Sequence, residues 1–313
     1  MLELHLTPDD NLSDILNILK EPATIYLKSG TYRHKVLIEA DDLTLIGEEC
    51  ETTVITYDDY ARKIHADGQE YNTFRTYTVC ITGERVKLEN LTIENSNDNP
   101  REAGQCVALS VNAKAFKAEN ICLKSTQDNL FLSPFPDDLV SRYRGFIPHR
   151  QLYMEGGSLH LFTDCRICGT VDFIFGCAEA LFENCKLISL HDDRGHGYVT
   201  APAHSLKQEH GFVFHNCDFI SGGAEDGTVF LARPWRDYGK CEFIDCRIGS
   251  HINTALYDKW NDTERDKTAR FAHYNLRSPR PISPVAWSKE LKKDEASEII
   301  NTFTARLARR AGK

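Results

Sequence analysis

The chain has 313 residues, of which 41% are hydrophobic and 27% charged, with 37 Lys and Arg against 46 Asp and Glu for a formal net charge of −9. This composition excludes a disordered or collagen-like chain, and the negative charge argues against nucleic acid or an anionic membrane as a partner. The first residues lack the basic and apolar regions of a secretory signal. We therefore expect a cytoplasmic protein, or a secreted one if a leader has been removed.

The predicted elements begin and end with a helix. NLSDILNILK, residues 11–20, combines a polar start with apolar residues at helical spacing. A second amphipathic helix is predicted in WSKELKKDEASEIINTFTARLARR, residues 287–310. We expect both to be short caps over the ends of the structure between them, because such caps protect exposed strand edges.

A six-residue pattern recurs through the middle of the chain as LENLTI, AENICL, FTDCRI, FENCKL, FHNCDF and FIDCRI. The third position is always a turn-forming residue: Asn90, Asn120, Asp164, Asn184, Asn216 and Asp245. Asn and Asp tolerate the left-handed backbone conformation of a tight turn, and each is followed by a brief alternating strand. The variable period is typical of stacked coils with loops inserted between them.

No helix-period stretch separates these strands, so they cannot be joined by the helical crossovers that parallel strands usually need. We therefore predict an all-β chain that winds as a single-stranded parallel β-helix, with residues 1–313 forming one domain. A propeller would need longer repeats. Most of the 11 cysteines stand beside large apolar residues, as small buried side chains do.

We predict that residues 134–155 form a loop inserted into the repeat. Asp128 precedes this segment by a few residues, so we expect it to leave the coils near any cleft that contains Asp128. Its basic and aromatic run, from Arg142 to Arg150, could attract an anionic ligand and cover its apolar faces, with Tyr143 and Phe146 as the covering rings. A solvent-exposed loop without function is an equally good interpretation.

Five short segments contain the candidate chemistry: AGQCVAL, TQDNLF, GTVDFIFG, HGYVTA and LARPW. They supply two Asp and two Gln, together with an Arg and a Trp. Asp172 stands among apolar neighbours, where a carboxylate needs a cationic or hydrogen-bonding partner. Taken singly, each residue could be an ordinary turn or packing residue, and only the combination on neighbouring coils indicates a site.

In these segments the sequence resembles the pectinesterases, a family of carbohydrate esterases that are right-handed parallel β-helices. The resemblance implies that Asp172 is the nucleophile and Asp128 the general acid and then base, with Gln105 and Gln127 as donors to the oxyanion. Arg233 would hold Asp172 as a carboxylate. Trp235, Phe175, Phe131 and Val171 would bind the sugar.

The implied reaction is hydrolysis of galacturonate methyl esters in methyl-esterified homogalacturonan or oligogalacturonides, with release of methanol. Two amide donors aimed at a tetrahedral oxyanion suit this chemistry, and burial beside a like charge would raise the pKa of Asp128. No metal and no cofactor are expected, and we expect a monomer.

Two alternatives remain open. A polyuronide lyase shares the β-helix in other families but would need acidic calcium ligands, for which Asp192 and Asp193 are the only adjacent carboxylates of interest. The second alternative is a non-catalytic carbohydrate-binding β-helix.

Overall fold

Three parallel sheets run the length of the computed structural model, which describes residues 2–97, 99–154 and 156–311. From β2 to β24, successive strands pass to the first, second and third sheet in turn, and every strand pair is parallel. Each coil therefore stacks on the previous one. The predicted parallel β-helix is confirmed.

The strand bounds follow this order. The first sheet contains β1 (Leu2–Leu6), β2 (Ala23–Leu27), β5 (Leu43–Gly47), β8 (Val86–Glu89), β11 (Ala115–Glu119), β14 (Leu159–Thr163), β17 (Glu179–Glu183), β20 (Phe212–His215), β23 (Lys240–Ile244), β25 (Arg270–Tyr274) and β26 (Lys289–Glu290). The second contains β3 (Gly30–Arg33), β6 (Thr53–Tyr57), β9 (Thr92–Asn95), β12 (Cys122–Lys124), β15 (Arg166–Gly169), β18 (Lys186–Leu190), β21 (Asp218–Gly222) and β24 (Arg247–Ile248). The third contains β4 (Val36–Ile38), β7 (Val79–Ile81), β10 (Leu109–Val111), β13 (Leu130–Leu132), β16 (Val171–Gly176), β19 (Gly197–Pro202) and β22 (Val229–Ala232).

The repeated Asn and Asp residues form the turns between the first and second sheets. All six have positive φ, between 48° and 55°, which these residue types tolerate better than most. Several also bond to the equivalent residue one coil away. The Asn120 side-chain amide donates to Asn90 Oδ1 at 2.9 Å, and that of Asn216 donates to Asn184 Oδ1 at 2.7 Å. The turn prediction is confirmed.

The interior of the coils is apolar and regularly stacked. Phe162, Phe182, Phe214 and Phe243 lie on consecutive strands of the first sheet, with neighbouring ring centroids 4.6–5.0 Å apart and nearly parallel planes. All the cysteines are free thiols, and all but Cys168 are buried. The cysteines therefore pack as small apolar side chains, as predicted.

The terminal helices differ in position. Helix α1 (Leu12–Ile18) directs Leu12 and Leu16 into the interior of the coils, as expected for a cap. Helix α5 (Lys293–Ala311) instead lies along the outer face of the first sheet, where Phe303 packs with Leu159, Leu181 and other outward residues. The predicted C-terminal helix therefore covers the side of the coils and not their end. The apolar face of a helix does not specify in the sequence which surface it covers.

Residues 134–154 leave the coils after β13, in the third sheet, and the chain returns at β14, in the first sheet. They contain helices α3 (Asp137–Tyr143) and α4 (His149–Leu152). We call residues 134–154 the insertion; Glu155, the last residue of the predicted loop, lies outside the described residues. The remaining short helices are α2 (Pro100–Ala103), η1 (Thr73–Arg75) and η2 (Arg265–Lys267).

Candidate active site

The two candidate aspartates lie side by side on neighbouring coils. The amide of Asp128 donates to the carbonyl of Val171, which precedes Asp172, at 3.1 Å. Both aspartates have positive φ, 60° for Asp128 and 51° for Asp172. Asp172 also lies where the pairing of β16 with β19 shifts register. Such sparsely populated backbone conformations are found disproportionately at functional sites.

The other candidate residues lie on the coils to either side. The amide of Cys106 donates to the carbonyl of Gln127 at 3.0 Å, which places Gln105 beside Gln127. Across the aspartates, the amide of Arg233 donates to the carbonyl of Thr200 on β19 at 3.0 Å. The stacking of coils thus brings together residues that are far apart in sequence.

A bidentate ion pair joins Arg233 to Asp172. Arg233 Nε donates to Asp172 Oδ1 at 2.8 Å, and Nη2 donates to Oδ2 at 2.5 Å. The two side chains are 13% and 8% exposed, so the pair is largely shielded from water. This fork-to-carboxylate geometry fixes the plane of the carboxylate as well as its charge.

Two aromatic rings hold the guanidinium of Arg233 in place. Its Cζ lies 3.8 Å from the ring centroid of Tyr198 and 4.1 Å from that of Trp260. The Tyr198 hydroxyl donates to Asp258 Oδ2 at 2.9 Å, which fixes one of these rings. The side chain of Arg233 is thereby held by two aromatic rings as well as along its hydrogen-bonding edge.

Asp128 differs from Asp172 in its electrostatic surroundings. Burial raises the pKa of Asp128 well above its ordinary value, and the neighbouring Asp172 charge raises it further. The positive charges of Arg233 and Arg194 and a hydrogen bond from Gln127 oppose this increase without cancelling it. The predicted direction is confirmed, and the two carboxyls have different electrostatic surroundings.

A cavity of about 650 Å³ lies on the Gln127 side of the aspartates. It is lined by Gln105, Gln127 and Arg194, among other residues. Gln127 Oε1 accepts a hydrogen bond from Arg194 Nη1 at 2.9 Å. Arg194 and its neighbour Asp192 therefore belong to the wall of this cavity rather than to an isolated surface loop.

The predicted sugar-binding rings lie on the opposite side and are mostly covered. Phe131 and Phe175 are paired residues of β13 and β16 on the outer face of the third sheet, and both are almost completely buried. Trp235 is half-buried, with its ring 5.6 Å from that of Phe175 in an edge-to-face arrangement. Val171 is buried as well. Of these four residues, Trp235 is the one with substantial exposure.

The insertion provides the cover. Phe74 lies between Phe131, at 4.9 Å, and Tyr143 of the insertion, at 5.3 Å between ring centroids. The Phe146 ring packs under the guanidinium of Arg75 at 3.5 Å. Tyr143 is almost completely buried, so the expectation that it presents its face to a ligand is wrong. Phe146 packs on Arg75 but is only half-buried, and its role stays a prediction.

An ion pair fastens the insertion to the segment that carries Trp235. Arg236 donates through Nε and Nη2 to the two carboxylate oxygens of Asp138 at 3.0 and 2.7 Å. The guanidinium of Arg236 also lies 4.7 Å from the centroid of the Trp235 ring. Arg236, Tyr198 and Trp260 were not identified from the sequence. Arg236 directly follows the RPW motif and Tyr198 lies within HGYVTA, whereas Trp260 lies in no such motif.

Taken together, the geometry suits attack by a carboxylate on a polar carbonyl group. Asp172 is held by Arg233, Asp128 beside it has a raised pKa, and Gln105 and Gln127 line the same cavity. Within the described ranges, no group of three or more His, Cys, Asp or Glu is arranged to hold a metal ion. None of the helices described is long and apolar enough to cross a membrane, and the cytoplasmic location stays a prediction.

Known sequences match this chain over most of its length. The family model for Pectinesterase matches residues 6–135 and 149–307, so most of the insertion falls outside the match. Pectinesterase 31 from Arabidopsis thaliana is 31% identical over 286 residues, which cover 88% of this chain and 81% of that protein. A pectinesterase from Petunia integrifolia is 31% identical over 299 residues, covering 91% and 71%.

Solved structures show the same fold. The pectin methylesterase PemA from Erwinia chrysanthemi superposes with a TM-score of 0.76 at 24% identity, over 95% of this chain and 94% of that one. A pectin methylesterase crystallised with a hexasaccharide gives a TM-score of 0.73 at 25% identity, over 90% and 87%.

Proposed function

This chain belongs to the pectinesterase family, and we propose that Asp172 and Asp128 carry out its reaction, the hydrolysis of galacturonate methyl esters in pectin or oligogalacturonides with release of methanol. The observation that carries the assignment is the contrast between the two carboxyl groups. Asp172 accepts two hydrogen bonds from Arg233, whereas Asp128 has a raised pKa beside it. Two carboxyls in such different surroundings can take different roles in one reaction.

In the first half of the reaction, a carboxylate oxygen of Asp172 attacks the carbonyl carbon of the ester. The oxygen of that carbonyl becomes an oxyanion, which accepts hydrogen bonds from the amides of Gln105 and Gln127. When the tetrahedral species collapses, the bond to the methoxy oxygen breaks, and Asp128 donates its proton to that oxygen. Methanol leaves, and an anhydride joins the galacturonate to Asp172.

In the second half, Asp128 is a carboxylate and can accept a proton from water. The resulting hydroxide attacks the galacturonate carbonyl of the anhydride, and the same two amides stabilise the second oxyanion. Collapse returns Asp172 as a carboxylate and Asp128 as an acid. Arg233 holds Asp172 in one orientation throughout, so the nucleophile and the leaving group are the same positioned oxygen.

Trp235 is the residue we assign to contact with a sugar ring, because it retains exposure beside the aspartates. Phe175 supports it from beneath through the edge-to-face contact. Phe131 packs against Phe175 in the same cluster, and Val171, which precedes Asp172, is buried. An aromatic face against the apolar face of a sugar is a common arrangement for binding carbohydrate, and it contributes through burial of both faces.

The insertion sets the length of substrate that the site accepts. Residues before the two aspartates line the open cavity, whereas Phe131 and Phe175, which follow them, lie under the insertion. The insertion thus covers part of the surface on this side, which would shorten the groove available to a long polymer. Arg142 and Arg144 on the insertion are exposed cations, which would attract free carboxylates at the end of a short, partly de-esterified chain. We therefore propose that short methylated oligogalacturonides are preferred to polymeric pectin.

Product analysis on methylated oligogalacturonides of graded length tests the proposal. An esterase releases methanol and an equal amount of acid, and it creates no unsaturated sugar ends. A lyase creates unsaturated ends that absorb ultraviolet light and releases no methanol, and a binding module does neither. Methanol with matching acid supports the proposal, and either of the other results contradicts it.

A further inference from the structure

Arg194 connects the loop between β18 and β19 to the amide of Gln127. Its Nη1 donates to Gln127 Oε1 at 2.9 Å across 67 positions of sequence. The same guanidinium donates through Nε and Nη2 to Asp192 at 2.8 and 2.7 Å. From the sequence, Asp192 and Asp193 of this loop were considered only as possible calcium ligands, so its link to the site is a finding of the structure.

Asp192 fixes the direction in which Arg194 points. The Asp192 side chain is only 10% exposed, and its Oδ1 also accepts a hydrogen bond from the backbone amide of Arg194 at 2.9 Å. A planar guanidinium held along one edge has its remaining N–H groups aimed in a defined direction. That direction leads to Gln127.

The contact determines which way the Gln127 amide faces. Arginine has N–H donors and no acceptor, so the atom of Gln127 that meets it must be the carbonyl oxygen. The amide nitrogen then occupies the opposite corner of the group, away from Arg194. A charged donor on the carbonyl oxygen also polarises the amide and makes its N–H groups stronger donors.

We propose that Arg194 is a positioning residue for the oxyanion donor Gln127: held by Asp192, it fixes the side-chain amide so that N–H, and not C=O, faces the reacting ester. This inference rests on the role proposed above for Gln127. Without Arg194 the amide can rotate, and the wrong orientation would place a carbonyl oxygen against the developing negative charge. Such an error affects the transition state more than the bound substrate.

A double-mutant cycle tests the proposal with methanol release as the assay. We expect Gln127→Ala to lower kcat about a hundredfold, as the loss of one oxyanion donor typically does. Arg194→Ala should lower kcat about tenfold with KM changed less than about twofold, because positioning is lost and binding is not. In the Gln127→Ala background, Arg194→Ala should have no further effect, since the residue through which it acts is gone.

Two further variants sharpen the comparison. Arg194→Lys keeps the positive charge but loses the planar set of N–H donors, so its kcat should be as low as that of Arg194→Ala. Arg247→Ala is the matched control, because Arg247 makes the same bidentate pair with Asp218, at 2.6 and 2.6 Å, on the second sheet. It should leave both kinetic constants unchanged.

The outcomes separate the possible failures. An equal loss in both backgrounds, or full activity in Arg194→Lys, would mean that Arg194 acts by its charge and would overturn the positioning role. A rise in KM alone would make it a substrate-binding residue and would also overturn the inference. Full activity in Gln127→Ala would remove the proposed oxyanion role of Gln127, and the inference with it.

Discussion

Arg233 donates two hydrogen bonds to one carboxylate, that of Asp172, at 2.8 and 2.5 Å. This pairing gives the two aspartates of the site different electrostatic surroundings. Asp172 shares its charge with a guanidinium that Tyr198 and Trp260 hold in place. Asp128 is close enough to experience that negative charge without making the pair itself, and its pKa is raised.

We expect Arg233→Lys to lower kcat by about a hundredfold or more, with KM changed little. Lysine keeps the positive charge but has one ammonium group in place of a planar fork, so it cannot hold both oxygens of Asp172 or fill the space between Tyr198 and Trp260. Steady-state methanol release measures both constants. Arg247→Lys, in the similar Arg247–Asp218 pair, is the control and should behave like the parent. A kcat close to that of the parent in Arg233→Lys would show that charge alone is sufficient.

The raised pKa of Asp128 predicts where activity is lost on the alkaline side. Asp128 must carry a proton to protonate the departing methoxy group, so kcat should fall as pH rises through its folded pKa. Because burial and the Asp172 charge raise that pKa, the fall should come well above the ordinary titration range of Asp, which is about pH 4. A profile of kcat between about pH 4 and 9 locates it. A fall at the ordinary Asp pKa would contradict the assignment of the proton to Asp128.

The same proton links pH to stability. Between the ordinary and the raised pKa of Asp128, the folded state binds more protons than the unfolded state. The contribution of this group to the free energy of unfolding is therefore fully present below the ordinary pKa, decreases as pH rises, and is lost above the raised pKa. Urea unfolding of the parent and of Asp128→Asn measures it. The account predicts a steeper decrease for the parent, and equal slopes would contradict it.

The turns and the catalytic motifs were predictable from sequence because the responsible residues act locally. Asn and Asp at the third position of the repeat adopt positive φ wherever they occur in it, and Asp172 is recognisable as a carboxylate among apolar residues. Two placements were not predictable. The face of α5 is apolar, but its pattern does not show that it covers the first sheet. Trp260 reaches Arg233 only through the fold, with no motif around it.

The insertion illustrates the same limit. From the sequence its aromatic residues are candidates for ligand binding, but in the structure Tyr143 packs against Phe74 and Phe146 packs against Arg75. The residue types of a segment show what its side chains could bind, but they do not show which residues those side chains contact in the fold. The point at which the insertion leaves the coils, just after Asp128, could be predicted because chain connectivity requires it.

Replacing residues 137–148 by a short Gly/Ser linker should shift preference toward polymeric pectin. The linker removes Leu139, Tyr143 and Ile147 from the cluster that covers Phe131 and Phe175, so kcat/KM for polymer should rise relative to kcat/KM for a short methylated oligomer. Asp138→Asn is a milder variant that breaks the ion pair with Arg236 and should shift the ratio in the same direction. Thermal unfolding shows whether each variant is folded. An unchanged ratio in two folded variants would exclude the insertion from substrate selection.

The stacked phenylalanines should be important for stability. Phe182 lies between Phe162 and Phe214 with centroid distances of 4.7 and 4.6 Å, and it is fully buried. Phe182→Ala should lower the free energy of unfolding by about 3–5 kcal/mol through lost burial and the cavity left behind. Tyr26→Ala is the matched control, because Tyr26 stacks on His5 at 4.8 Å but is half-exposed. Chemical denaturation should show a much smaller loss for it, and similar losses in the two variants would contradict the account.

The most direct test of the account is methanol release from a methylated oligogalacturonide by the parent, Asp172→Asn and Asp128→Asn. Asn is nearly isosteric and tolerates the positive φ at both positions, but it can neither attack the ester as a nucleophile nor donate a carboxyl proton. Asp164→Asn is the matched control, since Asp164 also has positive φ, 54°, in a turn away from the site. The account predicts that the parent and Asp164→Asn release methanol and that the two site variants lose more than about a thousandfold in kcat. Activity within about tenfold of the parent in either folded site variant would contradict the role given to that aspartate.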